Sequence, residues 1–178
     1  MGISSDANHS IDSTFDWQKT QATTARDYTP FGPLNVAVLG GKYSMTTPIL
    51  NLPSLSVTVT DNAWFTFSDA GVPSATNPNM KLRISNTNVL TLNPSNPGKI
   101  SSLVFTPATG AFGGKMTLTD PPALPRTVAF QGWLVPTLGY GYGHFLLPQL
   151  ADPLARPPTT ATTSPILSGK VLLEPVQR

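Results

Sequence analysis

Apolar and polar positions alternate along most of this chain, and the alternation has period two. The clearest run is Lys99 to Pro148. There Ile100, Leu103 and Phe105 are followed by Phe112, Met116 and Leu118, then by Val128, Phe130 and Leu134. Residues two apart lie on one face of a strand, so this run predicts three or four successive extended segments. Turn residues separate them. Thr106-Pro107-Ala108-Thr109-Gly110 stands between Phe105 and Phe112. The proline presets a turn dihedral, and Gly110 can take the left-handed conformation that closes a short hairpin loop.

The pattern extends upstream with interruptions. Residues 1 to 30 carry little periodicity, and Asp12 to Trp17 could cap a short helix running through Gln18 and Ala22. Phe15, Trp17 and Tyr28 are spaced aromatics in this polar arm, suited to pinning it on the domain surface or to docking on a neighbour. Leu34 to Leu39 reads as the first strand, with Leu34, Val36 and Val38 facing one way and Gly40-Gly41 ending it. Lys42 to Thr47 can form its return. Ser54 to Thr60 alternates cleanly, with Leu55, Val57 and Val59 on the core side. After an Asp61-Asn62 turn, Ala63 to Ser68 puts Phe65 and Phe67 on one face and Trp64 on the other. Asp69 to Asn79 reads as loop. Met80 to Ile84 and Asn88 to Leu92 are two short strands around Ser85-Asn86-Thr87, and Asn93 to Gly98 is a turn cluster. Beyond the long run, the Pro- and Thr-rich Gln149 to Ser164 is a loop. Pro165 to Pro175 returns to strand, and a terminal strand of this kind is expected to close the sheet.

These elements predict an all-β fold of about eight to ten short strands, with no helix longer than two turns. An antiparallel barrel and a two-sheet β-sandwich both fit. Gly113, Gly114, Gly132, Gly139, Gly141 and Gly143 lie in or beside strands, where glycine permits sharp coiling, and this favours the barrel. The expected organisation is an N-terminal arm or linker over residues 1–30 and one β domain over 31–178.

Composition narrows the function. The chain has 178 residues, of which only 11 % are charged, with Gly 14, Pro 19 and Cys 0. Charged residues usually make up about 25 %. The absence of cysteine removes thiolate metal sites, a thiol nucleophile and disulfide staples. A net charge of +2 with no basic run offers nothing to track phosphates, so no nucleic-acid partner is expected. No apolar run is long enough for a membrane-spanning helix, and no membrane partner is expected. The low-charge, Thr- and Asn-rich surface suits a secreted or cell-surface protein. No export signal is visible, as expected of a piece of a longer chain.

Candidate chemistry is sparse. The carboxylates are Asp6, Asp12, Asp16, Asp27, Asp61, Asp69, Asp120, Asp152 and Glu174, most of them beside turns, where Asp bonds backbone amides. His9 and His144 stand apart, with no metal-ligand spacing. Ser168 precedes Gly169 in what reads as a plain turn before the last strand, without a nucleophile elbow. No catalytic residue, metal site or cofactor is expected. An enzyme would need at least two of Asp61, Asp69, Asp120, Asp152, Glu174 and His144 in one pocket. Lys81, Arg83, Lys99, Lys115 and Arg126 are spread singly, as charges that guard strand edges are.

One aromatic feature stands out. Tyr140, Tyr142 and His144 alternate with Gly139, Gly141 and Gly143, so their side chains share one face. If Pro136 to Gly139 forms a hairpin turn, Trp133 lies across from Tyr142. Such rings could contact a protein or stack on a sugar. They could instead cover the bare backbone of the strand glycines. The expected partners are neighbouring domains of the same polypeptide or another protein, with a second copy of the chain and a glycan as alternatives.

The segments FTPATGAFGGKMTLTD, RTVAFQGWLVP, GYGYGHFLLPQL and SPILSGKVLLEP resemble a module of very large secreted or surface-anchored proteins of Verrucomicrobia and Planctomycetes. The matching positions are Pro107, Thr109, Gly110, Phe112, Gly114, Phe130, Gly132, Gly141, Gly143, Phe145, Leu146, Leu147, Ser168, Gly169 and Val171. Phe15 to Lys19 and Phe31 to Leu34 are similar to the module's beginning. His144 and Trp133 depart from the pattern. The resemblance implies a β-rich, non-catalytic building block of a multidomain surface protein.

Overall fold

A computed structural model describes residues 4–5, 10–20, 31–43, 60–72, 79–96, 99–118, 125–135 and 138–176. They form eleven strands in two antiparallel sheets. The smaller sheet is β1 (Ser4–Ser5), β2 (Ser10–Lys19) and β3 (Phe31–Gly41), in that order. The larger contains β4 (Ala63–Asp69), β5 (Met80–Ile84), β6 (Leu90–Leu92), β7 (Lys99–Thr106), β8 (Ala111–Leu118), β9 (Arg126–Val135), β10 (Tyr140–Pro148) and β11 (Ile166–Pro175). Its eight strands run in the order β6-β5-β4-β11-β10-β9-β8-β7.

The larger sheet is a nearly closed barrel, and its core rings show the curvature. β4 and β8 stand four places apart, which across a flat sheet is about 19 Å. Yet the Phe65 and Phe112 ring centroids are 5.4 Å apart, and Phe65 and Phe130 are 5.9 Å apart. The inward set is apolar throughout: Phe65, Phe67, Met80, Leu82, Ile84, Met116, Leu147, Val171 and Leu173 are fully buried. Outward positions carry Lys81, Arg83, Lys115 and Lys170.

Inward glycines make the tight coiling feasible. Phe145 lies directly opposite Gly169, and a Cβ at Gly169 would overlap the Phe145 ring. Gly132 and Gly141 likewise leave room for Phe112, and Gly114 for Phe130. Large rings occupy the space that side chains at these glycines would fill, which bends the sheet around them. Ile100 and Leu103 both pack against the core despite their odd spacing, because the β7–β8 register shifts between Ile100 and Ser102. Gly110 closes the β7–β8 hairpin at φ 70°, as its sequence position predicts.

Polar groups finish the barrel's ends. Asn62 is 2 % exposed and acts as an extra rung beside β5. Its Nδ2 donates to the Ile84 carbonyl at 2.8 Å, and its Oδ1 accepts from the Ile84 N–H at 2.7 Å. β6 is short, and Asn96 extends its edge. The Lys81 N–H donates to Asn96 Oδ1, and Asn96 Nδ2 donates to the Lys81 carbonyl, both at 2.8 Å.

Several expectations are corrected. Asp12 to Gln18 is part of a strand, because its residues pair with Leu34 to Leu39 instead of forming an isolated helical turn. Residues 31–41 consequently belong to the small sheet with the arm, and not to the barrel ladder. The last strand does not close the barrel. β11 lies mid-sheet between β10 and β4, joining the two runs of hairpins. Ser168 is within β11, opposite Leu146, not in a turn before it. Ser44 to Thr47 of the proposed return and residues 54–59 of the Ser54–Thr60 strand lie outside the described residues, as do Asp6, His9, Asp27, Tyr28 and Asp120.

Candidate functional site: an outward aromatic stripe

The β9–β10 hairpin positions the site. It closes at Gly139, whose φ is 76° and whose N–H donates to the Val135 carbonyl at 3.1 Å. That turn sets the register in which Trp133 lies directly opposite Tyr142 and Gln131 opposite His144. Inward-facing Phe130, Gly132 and Leu134 alternate with outward Gln131 and Trp133, so the core fixes which way the stripe faces. The same logic puts Tyr140, Tyr142, His144 and Leu146 outward on β10.

The predicted face therefore exists, and it is exposed. Trp133 is 51 % and Tyr142 47 % exposed. Tyr140 is partly covered, its ring centroid 6.0 Å from that of Tyr142 with planes tilted by 49°. The tyrosines form a bent surface, not a coplanar platform. Inside the barrel Phe112 lies against Gly132 and Gly141, Phe130 against Gly114 and Phe145 against Gly169, places that Trp133, Tyr140 and Tyr142 do not fill. This outcome turns on phase. The glycines of β10 alternate with the tyrosines and so lie on the opposite face.

Ladder partners extend the stripe sideways. Tyr142 pairs with Leu172 of β11, which pairs with Thr66 of β4, while Trp133 pairs with Ala111 of β8. Thr66, Leu172, Tyr142, Trp133 and Ala111 thus form an uncharged band across five strands. The next row is polar: Ser68, Lys170, His144 and Gln131. Where the β9–β10 register ends at Phe130 and Phe145, the strands part over a depression of about 300 Å³. Ala129, Gln131, His144 and Leu146 line it. Leu146 is 47 % exposed and was not among the predicted contacts, although its period-two spacing from Tyr142 and His144 signals it.

Among the described residues the candidate acids do not join His144 here. His144 lines the depression, whereas Asp61 accepts from Asn93 Nδ2 at 2.8 Å, and Asp152 accepts from the Leu154 N–H at 2.8 Å. Asp69 ends β4, and Glu174 pairs with Trp64 on β4. Among the described residues no three His, Asp or Glu side chains group as metal ligands. Arg126 is not a free edge charge: its Nη1 donates to the Pro148 carbonyl at 2.6 Å, tying the start of β9 to the end of β10. Lys81 lies over the Trp64 ring at 5.2 Å.

Fold and site together define an eight-stranded antiparallel barrel with an apolar core and an outward aromatic stripe. No family model, curated protein or solved structure matches this chain.

Proposed function

We propose that this barrel is a non-catalytic structural and protein-interaction module of a larger exported surface protein, with the β9–β10 stripe as its contact face. One observation carries the reading: Trp133 and Tyr142 are paired across the strands, about half exposed, in an uncharged band. Contact faces are enriched in aromatics and depleted of charge at their centres. The resemblance read in segments 105–120, 126–136, 139–150 and 164–175 to modules of large surface proteins supports the same reading. Hydroxyl-radical footprinting of the domain alone and within its longer chain tests it. Trp133 and Tyr142 should be protected in the longer chain, and equal reactivity in both would refute the reading.

A second reading is favoured by the depression beside the stripe. Gln131 and His144 offer hydrogen bonds next to an exposed Trp–Tyr pair, the combination that holds a sugar ring in a carbohydrate-binding module. Titration with soluble polysaccharides, read by tryptophan fluorescence, should then give a saturable change that Trp133→Ala abolishes. Unchanged fluorescence across the panel rejects the glycan.

A further inference from the structure

Two lysines flank the depression between β9 and β10 from opposite sides. Lys170 on β11 pairs with His144, and Lys115 on β8 pairs with Ala129. His144 and Ala129 line the depression together with Gln131 and Leu146. Both lysines point outward, because they alternate with the inward positions Val171 and Met116. Strands lie about 4.8 Å apart, so each lysine Cα stands about 7 Å across the sheet from the β9–β10 boundary. Both occupy interior strands, where no sheet edge needs a guarding charge.

Among the described residues no acid adjoins either lysine in the ladder. Their neighbours are Ser68 and His144 for Lys170, and Ser102 and Ala129 for Lys115. Asp69 ends β4, on the side of Lys170 away from the depression, and its carboxylate accepts from the Ser68 hydroxyl at 3.2 Å. Glu174 lies four residues further along β11, about 13 Å from Lys170. A ligand seated between the lysines meets Gln131 and His144 as hydrogen-bonding groups. One row on, it meets the exposed Trp133 and Tyr142 rings. Aromatic faces beside paired polar groups suit a pyranose ring. Cations on both sides, with no acid between them, suit carboxylates carried on that ring. We propose, resting on the glycan reading above, that the depression takes a polysaccharide of uronic acids, with a sugar ring against Trp133 and its carboxylates met by Lys115 and Lys170.

Tryptophan-fluorescence titration of the full chain tests this. The probes are oligosaccharides of polygalacturonate, alginate and hyaluronan, each beside its carboxyl-methylated form. At least one acidic series should saturate, and methylation of the same sugar should weaken it by at least about tenfold. Lys115→Gln combined with Lys170→Gln should weaken the acid as much. Arg83→Gln, an equal change of charge on β5, should leave it unchanged. Raising the salt from about 0.05 to about 0.5 M should weaken the acidic form alone. Methylation alters only the ligand, so that comparison holds even where the double variant fails to fold. Methyl esters that bind as tightly as the acids overturn the uronate assignment and leave the glycan reading standing. Saturation by neither form overturns the assignment as well, and the neutral polysaccharide panel then decides the glycan reading by itself. A polyglutamate peptide that binds as tightly, with the same dependence on both lysines, overturns it in favour of an acidic protein partner.

Discussion

Replacing Gly169 with alanine tests the account of barrel curvature most directly. Gly169 sits on the inner face of β11, directly opposite Phe145 on β10 and Asp69 on β4. A Cβ there would overlap the Phe145 ring at three of its carbons, so the ring must move outright. It has little room to do so. Phe145 is 1 % exposed, the Phe67 ring centroid lies 6.1 Å away, and Phe67 is itself stacked edge to face on Phe130 at 5.1 Å. Overpacking a core costs about 1–3 kcal/mol, and a rigid ring with rigid neighbours places this case near about 3 kcal/mol. Backbone strain adds nothing, since Gly169 is not among the glycines with positive φ. With a urea slope of about 2 kcal/mol/M, the unfolding midpoint should fall by about 1.5 M. The melting temperature should drop by about 6–12 °C for a chain of this length. A double-mutant cycle isolates the cause. Phe145→Leu is destabilising alone but makes room for the methyl group, so the pair should be at least about 1 kcal/mol more stable than additivity predicts. A Gly169→Ala variant within about 0.5 kcal/mol of the parent, or an additive cycle, would refute the argument.

Other substitutions probe the barrel's ends and its outer face. Asn62→Ala leaves the buried Ile84 N–H and carbonyl without their partner and should cost about 2–4 kcal/mol in urea unfolding. Trp133→Ala and Tyr142→Ala should change stability by less than about 1 kcal/mol, because both rings are half exposed, while removing the footprinting or fluorescence response. Burial raises the Tyr43 hydroxyl above its ordinary value of 10.0. Its contribution to stability is therefore complete below about pH 10 and is lost as pH rises from there through the folded-state value. The gap between the stability–pH curves of the parent and Tyr43→Phe should be constant below about pH 10, and above it the parent should lose stability relative to Tyr43→Phe.

Much of the barrel and its stripe was legible in local pattern. Ala63 to Ser68, Met80 to Ile84 and the Lys99–Pro148 hairpins form strands where alternation predicts them, and Gly110 takes the left-handed turn its position demands. The outward placement of Trp133, Tyr140, Tyr142 and His144 follows from the same period. What covers the glycines did not follow. Choosing between Tyr142 outside and Phe112 inside requires knowing which face is the core. β2 was missed because Ile11, Ser13, Phe15 and Trp17 alternate weakly within a polar arm, and their pairing partner lies about 20 residues away in β3. That alternation was the signal that could have identified the strand.

Local chemistry determined the all-β class, the turns, the apolar inward set and the shortage of ionisable groups. These depend on side-chain alternation, on φ restrictions and on composition, all of which are read within a few residues. Only the tertiary structure decided which strands pair. Backbone hydrogen bonding does not distinguish one extended segment from another, so β11 could have closed an edge as readily as it joins β10 to β4. The choice is made by side chains far apart in the chain: Phe145 over Gly169, Phe112 over Gly132, and Phe65 against both Phe112 and Phe130. Those contacts exist only once the sheet has curled, and the curling leaves the aromatic stripe outside.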